Sequence, residues 1–118
     1  MNYYFDLNDM PFEAIKNGKK KIETRIQTND HPKSEFEGMK EEDQIIFTKE
    51  STGEKMKARI LGVRHYEDIA SLLDNEGQEN VMSYDTTREK ALVSWNTLTG
   101  YEDGIKKFGI WAIEIRPL

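Results

Sequence analysis

The sequence contains no cysteine, which removes disulfides and thiolate zinc sites and makes a reducing, cytoplasmic setting the simplest expectation. Long apolar runs are also missing. The longest, such as Ile45-Ile46-Phe47, fall far short of the roughly 20 residues that span a bilayer, and no arginine-rich presequence or apolar signal core opens the chain, so no membrane partner is expected. A positive balance is lacking as well: 17 basic against 22 acidic residues give a net charge of −5 and a pI near 5.1. That argues against the broad basic surface with which proteins grip duplex DNA, so any contact with nucleic acid has to be local. His31 and His65 lie far apart, with no His-x-x-x-His pair between them, so neither a metal nor a cofactor is expected. Neither a Gly-x-Ser-x-Gly elbow nor a phosphate-cradling glycine loop occurs. With no repeat, low-complexity tract or linker, the 118 residues are expected to form a single domain spanning 1–118.

What the chain does have is a dense set of charges at Gly18-Lys19-Lys20-Lys21-Ile22-Glu23-Thr24-Arg25-Ile26. Polar and apolar residues alternate from Lys21 to Ile26, so in a strand Lys21, Glu23 and Arg25 point one way while Ile22, Thr24 and Ile26 point the other. Side chains two apart on one face stand about 6.6 Å apart, so Glu23 and Arg25 can pair or flank a small polar ligand. Lys20 precedes the alternation, which leaves its direction open. A solvated face with a surface ion pair of small weight accounts for the same pattern.

Around this stretch, Tyr3 to Leu7 reads as a strand, followed by a short helix with Asp9 as cap, Pro11 in the first turn and Asn17-Gly18 as its stop. Gln27 to Lys40 is polar and aperiodic, hence a long loop. Gln44–Lys49 and Lys55 to about His65 form a hairpin around Ser51-Thr52-Gly53-Glu54, with a bulge or bend near Gly62, where the apolar phase shifts. Ile69, Leu72 and Leu73 mark a helix ended by Gly77. Thr86 and Glu89 have capping-box spacing for another, with Leu92, Trp95 and Leu98 inward. Gly100 to Gly104 is a loop, and Phe108 to Arg116 is a strand apolar enough to be covered on both faces. Strands at both ends with a hairpin and helices between them fit an α+β architecture: a small, mostly antiparallel β-barrel with helices packed on its side.

The run from Pro11 to Arg25 resembles the opening motif of the ASCH domain family, G-x-K-x-x-E-x-R, which falls on Gly18, Lys20, Glu23 and Arg25. The resemblance continues through the Ile45-Ile46-Phe47 strand, the Thr52-Gly53-Glu54 turn, residues 63–77 and the closing F-G-I-W-A-I-E-I, and departs from the family at Glu42-Asp43, where relatives carry Gly-Asp. It implies a PUA-like pseudo-barrel, a fold associated with RNA binding, in which Lys20, Glu23 and Arg25 line a cleft between barrel and helices.

Some relatives resemble enzymes, among them a nuclease-like branch and small amidohydrolases that deacylate N4-acetylcytidine with a lysine, a threonine three positions later and a glutamate from the helical segment. This chain has Lys20 for the lysine, Glu23 in place of the threonine, and Glu76 or Glu79 for the glutamate. Three readings follow. As a binding module for RNA or a nucleotide-like molecule, the chain would use Lys20, Lys21, Glu23 and Arg25, with Tyr66 or Tyr84 stacking a base and Ser83 touching the ligand. As an amidohydrolase, Lys20 with Glu23 or Glu76 would carry the chemistry. As a protein-interaction adaptor, it would present the acidic residues Glu35, Glu37, Glu41, Glu42 and Asp43. Each candidate also has a plainer role: edge packing for the tyrosines, a solvated helix end for Glu76, a helix cap for Ser83.

Overall fold

A computed structural model describes all 118 residues. Its strands are β1 (Asn2–Leu7), β2 (Ile22–Arg25), β3 (Gln44–Lys49), β4 (Lys55–Tyr66) and β5 (Ile110–Pro117). Its helices are α1 (Asp9–Lys16), α2 (Lys33–Gly38), α3 (Ile69–Glu76), α4 (Gln78–Val81), α5 (Arg88–Ser94) and α6 (Tyr101–Phe108), and a 3-10 turn at Trp95–Thr97 follows α5. The five strands form one sheet in the order β1-β3-β4-β5-β2, with β1 and β3 parallel and the other pairs antiparallel. Although β1 and β2 stand at opposite ends of that order, the Arg25 guanidinium on β2 donates to the Asp6 carbonyl on β1 at 2.6 Å. The sheet is therefore curled until its outer strands approach each other. No helix is long and apolar enough to cross a membrane.

Strand alternation divides the interior into two cores. On β5, Trp111, Ile113 and Ile115 point into the curl, where they meet Tyr3, Phe5 and Leu7 of β1, Phe12 and Ile15 of α1, and Phe36 of α2. Ile110 and Ala112 point outward beneath α3 to α6, packed with Ile22, Leu72, Val81 and Trp95. The expected two-faced burial of the last strand is thus observed, and the hairpin bulge lies where the apolar phase shifts, between Ile60 and Gly62.

Several local expectations are corrected. The polar segment Gln27–Lys40 contains α2, whose six residues bury only Phe36 and are too few to establish a period. The glycine-flanked segment from Gly100 contains α6, with Glu102 and Asp103 in its first turn and Lys106 and Lys107 in its last, as its dipole favours. Gly104 sits inside this helix because a Cβ there would meet the Ile26 side chain at 2.7 Å. Phe108 closes α6, so β5 begins after Gly109. Asn8, not Asp9, stands at the cap of α1, without a side-chain bond. Thr87, not Thr86, caps α5 by accepting from the Lys90 N–H, and Leu98 faces solvent while Ala91 packs inward.

Candidate functional site

Helix α1 ends in a turn that aims Lys20 inward. Gly18 takes φ +85°, a conformation that side-chain-bearing residues rarely adopt, and the Lys20 N–H bonds back to the Ala14 carbonyl at 3.0 Å. The lysine side chain is only 6 % exposed, and its Nζ donates to the Val81 carbonyl at 2.5 Å. That carbonyl lies at the end of α4, where helical acceptors are left without intrahelical donors. Glu23, on β2, is also buried. Its Oε1 stands 3.7 Å from Lys20 Nζ, and its Oε2 accepts from Arg25 Nε at 2.9 Å. Arg25 continues the chain of contacts to the Asp6 carbonyl and lies over the Phe5 ring, 4.7 Å from its centroid. The alternation of β2 correctly separates charged from apolar side chains, but its charged face is covered rather than solvated.

Burial sets the electrostatics. Loss of hydration pushes the Lys20 ammonium below its ordinary pKa, against the opposing pull of Glu23. Desolvation works in the same sense on Arg25, yet Glu23, Tyr101 and Asp6 together hold its pKa above the usual value. Tyr101 is raised, first by burial and then by Glu23, with Arg25 pulling the other way.

These groups border a cavity of about 370 Å³ between the curled sheet and the segments that follow β4. Lys20, Glu23 and Arg25 line it together with Ser83 and Tyr84, all anticipated from sequence. Ser83 caps no helix; it lies beyond the end of α4, and its hydroxyl has no protein partner. Tyr84 is 44 % exposed at the rim. Lys21, Tyr66 and Glu76 are not in this cavity. Lys21 is exposed and serves through its backbone, which bonds to Asn80 O and Ile115 N. Glu76 is gripped by Arg64, Nε to Oε2 at 2.5 Å and Nη2 to Oε1 at 2.8 Å, and also accepts from the Tyr66 hydroxyl. Arg64 reaches on to Glu114 at 2.9 Å, so Glu76 and Tyr66 belong to an ion cluster on the outer face of the sheet. Asp6 and Glu50 also line the cavity, but Glu23, 3.7 Å from the Lys20 amine, is the carboxylate that accompanies it.

Sequence reasoning missed four contributors. Thr24 sits on the apolar face by alternation, yet its hydroxyl accepts the Trp95 indole N–H at 3.0 Å and it borders the cavity with Trp95 and Tyr101. A buried tryptophan needs an acceptor for its N–H, so the inward Trp95 carried a signal, although not the identity of its partner. The Val81 carbonyl carried none, being backbone. His31 and His65 are engaged separately, with Glu35 Oε2 at 2.6 Å and with Phe108 O at 2.7 Å.

The chain matches the ASCH domain over residues 6–118. Among solved structures it is similar to the crystal structure of hypothetical protein PH0355, at 32% identity and a TM-score of 0.80, with 100% of each chain covered. It is similar also to the solution NMR structure of protein PF0455 from Pyrococcus furiosus, at 32% identity and a TM-score of 0.73, covering 100% of this chain and 98% of that one. The crystal structure of a serine-to-alanine mutant of ZmASCH from Zymomonas mobilis shares the fold at 16% identity and a TM-score of 0.59, over 98% of this chain and 70% of that chain. No curated protein matches at a significant level.

Proposed function

The chain belongs to the ASCH domain family, and from that membership and the lining of its cavity we propose that it binds RNA or a nucleotide-like ligand through Lys20, Glu23 and Arg25. The observation that carries this reading is the Lys20–Glu23–Arg25 chain on the wall of the cavity, with Lys20 and Glu23 buried and Arg25 partly buried. Buried ionised groups are costly to maintain, and here two cations share one carboxylate, which leaves donor capacity for an anionic or carbonyl-bearing ligand. Tyr84, Trp95 and Tyr101 border the same space and supply faces or edges for a base. Its volume of about 370 Å³ is within the range of small-ligand sites. The same reading takes the curled sheet as a PUA-like pseudo-barrel.

The test is an amide NMR titration of labelled protein with short single-stranded RNA at low and moderate salt. Shifts at Lys20 to Arg25 and at Ser83-Tyr84, weakened by salt, are expected. Arg25→Ala removes charge-assisted bonds and is expected to cost roughly tenfold or more in affinity. Because Arg25 also bridges β1 and β2, Tyr84→Ala is the cleaner variant. It loses only a rim face, with roughly a fivefold or greater drop expected from lost stacking. Silence at high RNA concentration sinks the RNA reading and leaves two to pursue: hydrolysis of an acylated nucleoside, and the adaptor function through the acidic residues around Glu35 to Asp43.

A second reading is favoured by one observation. Burial lowers the pKa of the Lys20 amine, and the Glu23 carboxylate lies 3.7 Å away, an arrangement suited to moving a proton at an amide. Hydrolysis of an acylated nucleoside such as N4-acetylcytidine would then rest on Lys20 and Glu23, with Glu76 outside the site. Incubation with N4-acetylcytidine tests it, and absence of cytidine at high enzyme concentration excludes it.

A further inference from the structure

A second cavity, of about 340 Å³, lies where α2, α6 and β5 meet, lined by Gln27, Lys33, His65, Lys107, Phe108 and Trp111. In a chain with more acidic than basic residues, none of these six is acidic and two are lysines. Glu35, the carboxylate closest to Lys33 in sequence, is already engaged with His31 at 2.6 Å. Lys107 ends α6, where the helix dipole favours a cation; Lys33 opens α2, where it does not, so helix electrostatics explain only one of the two.

Trp111 adds an independent observation. It is 8 % exposed, stacked on Phe36 with centroids 5.5 Å apart, and its indole N–H is a buried donor without a partner. A buried donor of this kind is costly to leave unsatisfied, and the chain's other tryptophan does find an acceptor, in Thr24. Phe108 stands beside it, 48 % exposed, an apolar ring at the surface with no core to fill. The two cavities also adjoin through β2: Arg25 borders the first and is paired across the sheet with Trp111, while Gln27, two residues on, borders the second.

We infer that this second cavity receives a phosphate group of the same RNA strand whose neighbouring nucleotide occupies the first. Lys33 and Lys107 supply the charge, Gln27 supplies a neutral donor, the Trp111 ring forms part of the wall, and Phe108 supplies a face on which a base can stack. The inference rests on the RNA reading given above and extends it from one nucleotide to a strand crossing β2.

The two indole N–H resonances of a uniformly ¹⁵N-labelled sample separate the two claims, because Trp95 borders the first cavity and Trp111 the second. The probe is a single-stranded RNA hexanucleotide, titrated at several salt concentrations into the intact protein and into the Lys33→Gln/Lys107→Gln variant. Both lysines are exposed, so the variant is expected to fold. The expected result is movement of both indole signals in the wild type. In the variant the Trp111 response should be lost, and the slope of log affinity against log salt should become shallower by about 0.7 for the one phosphate contact. Movement of Trp95 alone, with an unchanged slope in the variant, overturns the second site and leaves the first standing. Movement of Trp111 alone upholds the second site while refuting the cleft, and silence of both refutes both.

Discussion

Glu23 stands between a buried cation and a partly buried one, so removing it and removing Lys20 are unequal perturbations. In Glu23→Gln, Lys20 stays buried and Arg25 half-buried without a counter-charge, and a loss of about 3 kcal/mol is expected in urea unfolding. In Lys20→Met the Glu23–Arg25 bond survives, a costly buried ammonium disappears, and the Val81 carbonyl alone is left short, a loss of about 1 kcal/mol. A larger loss in Lys20→Met than in Glu23→Gln would mean that Lys20, not Glu23, is the group the others depend on. The residue types of this site were legible from the chain, because Lys20, Glu23 and Arg25 fall on a recognisable spacing. Their burial was not, because a strand with a charged face reads the same whether water or a helix covers it.

At the scale of elements, two glycines with similar φ values make opposite demands. Gly109 joins α6 to β5 at φ +74° and ψ −160°, and a Cβ there would lie 2.4 Å from the Tyr66 carbonyl and 2.7 Å from the His65 ring. Gly18 ends the approach to β2 at φ +85° with open space around it. Gly109→Ala is therefore expected to cost about 3 kcal/mol, since backbone strain and a clash with fixed main chain add. Gly18→Ala should cost about 1 kcal/mol, for strain alone. Denaturant titration of both variants checks the ranking. The elements legible in the sequence were those with repeated local evidence: the β3–β4 hairpin by its turn, β5 by its apolar density, α3 by its spacing and terminal glycine. Helices α2 and α6 were hidden, the first because six residues contain less than two turns, the second because Gly100 and Gly104 read as loop residues. Gly104 lies in α6 for a tertiary reason, the closeness of Ile26.

Across the whole molecule, the Arg64–Glu76–Glu114 cluster ties β4, α3 and β5 together, and it makes stability depend on pH. Hydrogen bonding from Arg64 holds the Glu76 pKa below its ordinary value, outweighing burial, which acts in the other direction. A carboxylate lowered in the folded state contributes stability that is present above its unfolded value, near 4.5, and is lost as pH falls through the folded value. Glu76→Gln should accordingly be less stable than wild type at neutral pH, and the gap should close as pH falls through the folded value. A gap constant down to pH 2, measured by urea unfolding across that range, would assign the loss to packing instead. The sequence by itself determined what local periods and composition encode: which side chains of each strand share a face, that Gly18 and Gly77 follow helix ends, that β5 has two apolar faces, and that a Lys-Glu-Arg set stands on β2. Only the tertiary structure decided that Lys20 is buried against Val81, 61 residues away, that Arg25 closes the curl by reaching Asp6, and that Glu76 turns to Arg64 instead of the cleft. The physical reason is range. Alternation orients a side chain relative to its own strand, whereas its hydration and its partner depend on distant segments, and these are brought together by burial of the two cores.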